Sequence, residues 1–304
     1  LGEVRAALPA TFQLDALLEE HASQEQAYVH TVRPLLPRFL GGARCAVLFC
    51  GASGTGKTHS AFGTASVLSN LAAAADSEWG VAPRASRDLF ETLGEAVGAG
   101  GELQVSVSWL EVRGDQCYDL LDGGKLLRLR ESPALGTHAP GLARRPAECH
   151  DDVLRHIAHG ARRRSTAPTR ANMHATRAHT VFTLHLRRRT RRRGRMAPPD
   201  ACLTLVDLAA GAAGGAHQYV QQQPQPVRAR RSSEEAAIHS SLGALSTYLE
   251  ALRTAQGGGP PPSARAHRAC ALTRLVQPMV TGPHPFLIAA MASCAVGEAD
   301  MADT

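Results

Sequence analysis

Short apolar runs bounded by turn residues alternate along this chain with longer segments in which apolar residues recur at a helical period. This alternation predicts an α/β domain, in which helices pack against a central sheet. The runs that predict strands are 46–50, 103–112, 180–186 and 202–208. Helices are predicted from Thr58 onward and over 151–164 and 233–253.

Low-complexity segments separate these elements and predict mobile loops near 187–200, 212–232 and 256–266. The first loop contains the segment 187–195, in which seven of nine residues are arginine. The 304 residues show no internal repeat and are enough for one large domain or two small ones. A chain of this length can bury a substantial core without disulfides or a structural metal.

The charge balance is basic, with 33 Lys and Arg against 27 Asp and Glu, so the net charge is 33 − 27 = +6. This balance favours an acidic partner without identifying it. No apolar run approaches the roughly 18 residues of a membrane span, which predicts a soluble, intracellular protein. The seven cysteines are odd in number and include no Cys-x-x-Cys pair, so buried thiols are predicted rather than disulfides or zinc ligands.

The strongest local signal is a phosphate-binding loop of the form GxxxxGK[ST], placed after a predicted strand and before a predicted helix. Its members are Gly51, Ala52, Ser53, Gly54, Thr55, Gly56, Lys57 and Thr58. In such loops backbone N–H groups surround an anion, the lysine reaches the β- and γ-phosphates, and the hydroxyl ligates Mg²⁺. An ordinary glycine turn is the weaker alternative.

Asp207 ends the apolar strand predicted over 202–208, where a carboxylate that holds the water shell of Mg²⁺ belongs. Its position alone is equally compatible with a helix cap or a turn residue. The motif therefore predicts nucleotide binding, while Asp207 keeps two interpretations.

With these segments in place, the chain resembles a kinesin motor domain. The matching segments follow the family's order over nearly the whole chain: 12–15 (FQLD), 23–25 (SQE), 51–59, 80–84 (GVAPR), 108–112 (SWLEV), 118–121 (YDLL), 129–131, 140–142, 172–179 (NMHATRAH), 206–209 (VDLA), 238–245 (IHSSLGAL) and 272–275 (LTRL). The resemblance implies one motor domain over 1–304, with the P-loop NTPase fold of kinesin type. That fold has a central mixed, mainly parallel sheet flanked by helices on both faces.

The resemblance also implies roles for single residues. The phosphate loop and His59 would bind ATP, and Asn172 and Arg177 would lie on the γ-phosphate side. Thr58, Thr176 and Asp207 would hold Mg²⁺, partly through water. The helix predicted over 233–253 and the segment 272–276 would face tubulin.

Several positions depart from the family pattern. The segment that begins at 206–209 resembles the family's switch II, and Ala210 replaces its glycine, which limits backbone freedom at that hinge. Ala212 replaces the switch II glutamate, so Arg177 is expected to lose its charge partner. Further departures are Ala175 and Ala178 for serines, Ala271 for a lysine, and Pro278 inside a predicted helix. The family's first strand, with its RxRP adenine contact, is missing, because Arg33-Pro34 falls in the helical segment before the phosphate loop.

Two hypotheses follow from these matches and departures. The first is a microtubule motor of the cytoplasmic cytoskeleton, driven by ATP hydrolysis that the switch II changes weaken. The second is a nucleotide-binding tether or scaffold on microtubules that hydrolyses ATP slowly or not at all. Oligomeric state, direction of movement and cargo are left open.

Two further interpretations are weaker. Nucleic-acid binding through 187–195 is disfavoured, because no aromatic residues lie among the arginines to stack on bases. A solvated hairpin tip or a nuclear localisation signal accounts for that run more simply. Metal binding by His174 and His179 lacks a third ligand, and His179 belongs to the segment 172–179, which resembles the family's switch I.

Overall fold

The computed structural model describes residues 15–19, 21–64, 68, 75–95, 102–132, 136–164, 166–167, 175–189, 200–210, 225–281 and 286–291. The strands are β1 Arg44–Gly51, β2 Glu102–Arg113, β3 Gln116–Asp119, β4 Lys125–Leu127, β5 Arg130–Ser132, β6 Gly136–His138, β7 Arg145–Ala147, β8 Thr166–Ala167, β9 Ala175–Thr176, β10 His179–Arg189, β11 Ala201–Asp207 and β12 Phe286–Met291. The helices are α1 Gln24–Thr31, α2 Leu36–Leu40, α3 Lys57–Phe62, α4 Val81–Glu95, α5 His150–Ala161, α6 Gln225–Gln256, α7 Ala264–His267 and α8 Ala271–Val280.

The central sheet has eight strands in the order β12-β1-β11-β10-β2-β3-β4, with β7 paired to β2 beside this path. β1 runs parallel to both β11 and β12, and every other pairing in this sheet is antiparallel. The predicted mixed sheet is confirmed, but among the described strands parallel pairing joins only β1, β11 and β12 and is not the main arrangement. A short turn at Gly114 and Asp115 joins β2 to β3, and such a connection reverses the chain and permits only antiparallel pairing.

Helices α1 to α5 contribute to the core on one face of the sheet. At its centre Phe62, Trp109 and Phe182 pack together, with ring centroids 4.8 to 5.5 Å apart. Gly160 of α5 lies so close that a Cβ at that position would sit 2.4 Å from Trp109. The packing therefore admits no side chain at Gly160 without a shift of the helix.

Helices α6 and α8 cover the opposite face, where Leu245, Tyr248, Leu272 and Val276 join a second core cluster with Val206 of β11. The apolar residues that recur at a helical period over 233–253 therefore face the sheet. Helices on both faces of the sheet confirm the predicted layer arrangement.

The predicted strands and helices are confirmed, with differences at their ends. Helix α6 already begins at Gln225, so the last part of the loop predicted near 212–232 is wrong. Within the loop predicted near 256–266, residues Ala264–His267 form α7. Helix α8 continues through Pro278 to Val280, and the proline lies in its last turn. Arg33-Pro34 lies in a short 3₁₀ turn between α1 and α2, as its predicted place in a helical segment implies.

The prediction of buried thiols is confirmed in part, because Cys45, Cys117 and Cys202 are buried while Cys50 and Cys270 are half-buried. Cys149 is exposed, and Cys294 lies outside the described residues. Burial raises the pKa of the Cys45 and Cys117 thiols to about 11.

In the part of the chain that the structure describes, no helix combines the length and apolarity needed to span a membrane.

Candidate nucleotide site

The ends of neighbouring strands bring the phosphate loop and Asp207 together. β1 ends at Gly51 and β11 ends at Asp207, and the two strands are parallel with Phe49 paired to Asp207. On its other side, Asp207 pairs with Thr180 near the start of β10. Since the carboxyl ends of parallel strands meet at one edge of a sheet, the residues that follow β1 and β11 share a single site.

The phosphate loop has the backbone conformation that its glycines predict. Gly54 and Gly56 have φ angles of +82° and +95°, values that side chains with a Cβ rarely adopt. Gly56 is the N-cap of α3, which begins at Lys57. The local sequence therefore suffices to form the turn that leads from β1 into α3.

Lys57 is 6% exposed, and its Nζ donates to the carbonyl oxygens of Gly51 and Ala52 at 2.9 and 2.6 Å. Burial lowers the pKa of this ammonium group, and the nearby Asp207 carboxylate opposes that effect. The ammonium group of Lys57 is thus held against the loop, where it would contact an anion bound there.

Asp207 is fully buried and holds two other members of the site. Its Oδ2 accepts a hydrogen bond from Thr58 Oγ1 at 2.7 Å and another from Arg164 Nη2 at 2.5 Å. Arg164, whose side chain is 3% exposed, also lies near the rings of Phe62 and Trp109. The carboxylate contacts Thr58, as the Mg²⁺ hypothesis requires; the helix-cap alternative finds no support among the described residues.

Arg164 is a member of the site that sequence reasoning missed. It lies 43 residues from Asp207 in the chain, at the end of the helix predicted over 151–164. The one available signal was its place just before the switch I segment. With 33 basic residues in the chain, that signal does not separate it from its neighbours.

The site keeps buried polar atoms that are unpaired within the described residues. These are Asp207 Oδ1 and the Nε and Nη1 atoms of Arg164. Buried polar groups are nearly always hydrogen-bonded, so such atoms indicate a place for a ligand, ion or water. A carboxylate and a hydroxyl beside a phosphate loop are oxygen donors of the kind that Mg²⁺ prefers, and the residues present fit a magnesium nucleotide.

Arg177 has a charge partner, contrary to the expectation drawn from Ala212. Its Nη1 lies 3.4 Å from Oε1 of Glu235 on α6, with the two side chains 10% and 14% exposed. Ala212 itself lies outside the described residues. The expectation is wrong because the carboxylate comes from a helix 58 residues further along the chain, which a position-by-position comparison does not consider.

His179 links the start of β10 to two other elements. Its Nδ1 accepts from the backbone N–H of Ala209 at 3.0 Å, and its Nε2 lies 2.8 Å from Ser241 Oγ on α6. Burial lowers the pKa of His179 to about 4, which keeps the ring neutral and able to accept at Nδ1. His179 therefore contacts the backbone of the segment that follows Asp207.

Three other residues are predicted to belong to the site: Thr176, Asn172 and His59. The backbone of Thr176 lies in β9 and pairs with Thr166, while its side chain is not among the described atoms. Asn172 and His174 fall outside the described residues. His59 lies on α3, where its carbonyl oxygen accepts from Gln24 Nε2 at 2.8 Å and burial lowers its pKa.

Two arginines in or near the segment 272–276, which is expected to face tubulin, share an acidic neighbour. Arg268 Nη2 and Arg274 Nε lie 2.7 and 3.4 Å from the carboxylate of Glu131 on β5. Arg265 is exposed, and the side chains of Arg228, Arg230 and Arg231 lie outside the description. The positive charge on this face is therefore smaller than the arginine count suggests. In the arginine run, Arg187 pairs with Asp200 at 2.9 Å.

Comparison with known proteins gives concordant results. The family model for the kinesin motor domain matches residues 3–302. The chain is 31% identical over 274 residues to kinesin-like protein KIF18B of Mus musculus, and 30% identical over 278 residues to kinesin-like protein KIF22 of Danio rerio. These matches cover 90% and 89% of this chain but 30% and 39% of the two relatives, so the chain spans about a third of their length.

Among solved structures, the chain is similar to KIF14 determined with AMP-PNP in complex with a microtubule, as a dimer in a two-heads-bound state. The TM-score is 0.74 at 25% identity, over 90% of this chain and 72% of that one. A second KIF14 structure, with ADP and a microtubule, has a TM-score of 0.69 at 26% identity, over 89% and 73% of the two chains.

Proposed function

The chain belongs to the kinesin motor-domain family, and from that premise we propose that residues 1–304 form one motor domain that binds Mg·ATP and microtubules and couples ATP hydrolysis to movement along them. The observation that carries the nucleotide part is the 2.7 Å contact between Thr58 and Asp207 beside the buried Lys57. The microtubule part rests on the family and on the microtubule complexes of the KIF14 structures. Association with the cytoplasmic cytoskeleton follows from the same proposal.

In this proposal each group of residues has a separate role in phosphoryl transfer. The loop backbone and Lys57 hold the phosphates, while Thr58 and Asp207, with Thr176, hold Mg²⁺ directly or through water. When bound, Mg²⁺ would neutralise the phosphate charge and polarise the phosphoryl group. Asn172 and Arg177 would orient and stabilise the γ-phosphate side.

We further propose that hydrolysis is slower than in a motor with a glycine at position 210. Ala210 directly follows the segment that His179 holds through the Ala209 N–H. A Cβ there restricts the backbone rearrangement that would bring the switch toward the γ-phosphate. Because Arg177 pairs with Glu235, the alanine at position 212 does not leave the charge of Arg177 unpaired.

A second candidate is a microtubule tether or scaffold that binds nucleotide with little or no turnover. Ala210 is the observation that favours it. Steady-state ATP turnover with and without microtubules separates the two functions, combined with co-sedimentation in ATP, in a non-hydrolysable analogue and without nucleotide. A motor shows turnover that microtubules stimulate, whereas a tether co-sediments without such stimulation.

The variant Ala210→Gly sharpens this test. We expect about 100-fold faster single-turnover hydrolysis, since the loss of one catalytic hydrogen-bond donor in other enzymes costs about a hundredfold to a thousandfold. Nucleotide affinity should change little, because the phosphate loop is untouched. Rapid turnover by the parent chain would contradict the proposed slowing. If the parent bound neither nucleotide nor microtubules, the whole proposal would be wrong.

A further inference from the structure

Arg177 and Glu235 form a nearly buried ion pair between the switch I segment and α6. Their side chains are 10% and 14% exposed, and Arg177 Nη1 lies 3.4 Å from Glu235 Oε1. Burying one of these charges alone would be costly, so each side chain determines where the other can lie. The position of the Arg177 guanidinium is therefore set by a residue of α6.

Arg177 keeps a free donor while it is held in this way. Its Nε is buried and makes no hydrogen bond within the described residues. A guanidinium offers five N–H donors in a fixed fork, so one edge can pair with Glu235 while another faces an anion. The ion pair thus orients the arginine without using all of its donors.

A second contact joins the same two elements. Two residues after Arg177, His179 lies 2.8 Å from Ser241 of α6 and accepts from the backbone N–H of Ala209. The ring is buried and neutral, as its low pKa requires. Helix α6 is therefore tied at Glu235 and at Ser241 to the chain that flanks Asp207.

We propose that Glu235 is the positioning residue for Arg177, so that α6 supplies the carboxylate that the switch II segment lacks at Ala212. The inference rests on the proposed function, since Arg177 needs a γ-phosphate to act on. It adds a residue outside the family-matched segments to the site. It also means that a displacement of α6 moves the arginine directly.

The experiment is a double-mutant cycle with Glu235→Gln, Arg177→Gln and the combined variant. Glu250→Gln is the matched control, because it removes an exposed carboxylate that pairs with Arg253 on the same helix. Single-turnover ATP hydrolysis, affinity for a fluorescent nucleotide analogue and thermal unfolding are measured for each protein. Ala212→Glu is then added to the parent and to Glu235→Gln.

We expect Glu235→Gln to slow hydrolysis about tenfold or more, by analogy with other lost catalytic contacts, while nucleotide affinity stays within about twofold and Glu250→Gln matches the parent. Arg177→Gln should lose at least as much rate, and adding Glu235→Gln to it should cause no further loss, since Glu235 acts only through Arg177. Ala212→Glu should recover part of the rate in the Glu235→Gln background and add little to the parent.

Three outcomes would overturn the inference while nucleotide binding stands. The first is an unchanged hydrolysis rate in Glu235→Gln with only a lower melting temperature, which means a purely structural pair. The second is multiplication of the two single losses in the combined variant. The third is a parent that binds nucleotide but shows no turnover to impair. Failure of the parent to bind nucleotide at all would instead contradict the proposed function itself.

Discussion

At the carboxyl ends of β1 and β11, Lys57, Arg164 and Asp207 are almost completely buried, and several of their polar atoms lack partners within the described residues. Beside α8, by contrast, Arg268 is 56% exposed and shares the carboxylate of Glu131 with Arg274. Buried charges are costly unless something compensates them, whereas exposed ion pairs contribute little and exchange partners readily. The first region therefore offers a fixed place for a ligand, ion or water, and the second suits a partner that competes for its arginines.

The largest effect is expected from removing the buried ammonium group. Lys57→Ala should weaken binding of a fluorescent nucleotide analogue by at least about 100-fold, because the charge that meets the phosphates is lost. Equilibrium titration measures this effect, with Lys125→Ala, at an exposed position of β4, as the control. Unchanged affinity in Lys57→Ala would remove the phosphate-loop assignment.

The buried and exposed arginines should differ in their effect on stability. Arg164→Ala leaves the fully buried Asp207 without its ion-pair partner, so we expect the free energy of unfolding to fall by about 3 kcal/mol. Arg268→Ala should leave the urea midpoint essentially unchanged, because its ion pair with Glu131 is exposed to water. Urea denaturation of both variants measures the contrast. Equal midpoints would show that a group other than Arg164 compensates the buried negative charge of Asp207.

Buried histidines predict how stability depends on pH. Burial lowers the pKa of His179 to about 4 and that of His185 to about 3, both below the 6.5 of an unfolded histidine. Their contribution to stability is therefore complete above pH 6.5, falls as the pH drops toward these values, and is lost below them. The slope is at most about 1.4 kcal/mol per pH unit for each residue.

Replacing one of these histidines should flatten that dependence. His185→Gln keeps hydrogen-bonding groups near Ser108, whose Oγ lies 2.8 Å from the His185 ring, and removes the titration. We expect the free energy of unfolding to decline less between pH 6.5 and 4 than in the parent. The exposed His30 provides the control substitution, His30→Gln. An unaltered slope in His185→Gln would assign the acid sensitivity to other groups.

The smallest effect is expected at the exposed face. Replacing Arg268 and Arg274 together with alanine should weaken microtubule co-sedimentation by roughly threefold and flatten its salt dependence. The physical reason is that two positive charges that would attract the acidic surface of tubulin are lost. Glu131→Gln should act in the opposite direction, because it frees both arginines from their acidic neighbour. If neither change alters binding, these residues lie outside the microtubule contact.

Much of this molecule follows from local patterns. The spacing of Gly51, Gly56, Lys57 and Thr58 determines the phosphate loop, because the turn, the helix start and the lysine all lie within a few residues. The apolar run that ends at Asp207 determines the strand that carries this carboxylate. The helical period of 233–253 likewise determines which face of α6 is buried, since side-chain direction depends only on the local backbone.

Only the tertiary structure decided which charges meet. Arg164 reaches Asp207 and Glu235 reaches Arg177 across 43 and 58 residues, and Glu131 pairs with Arg268 across 137. The antiparallel part of the sheet also depended on how the chain reverses between strands. A periodic pattern states which side of an element is buried but not which element lies opposite, so ion-pair partners among 33 basic and 27 acidic residues require the packed fold.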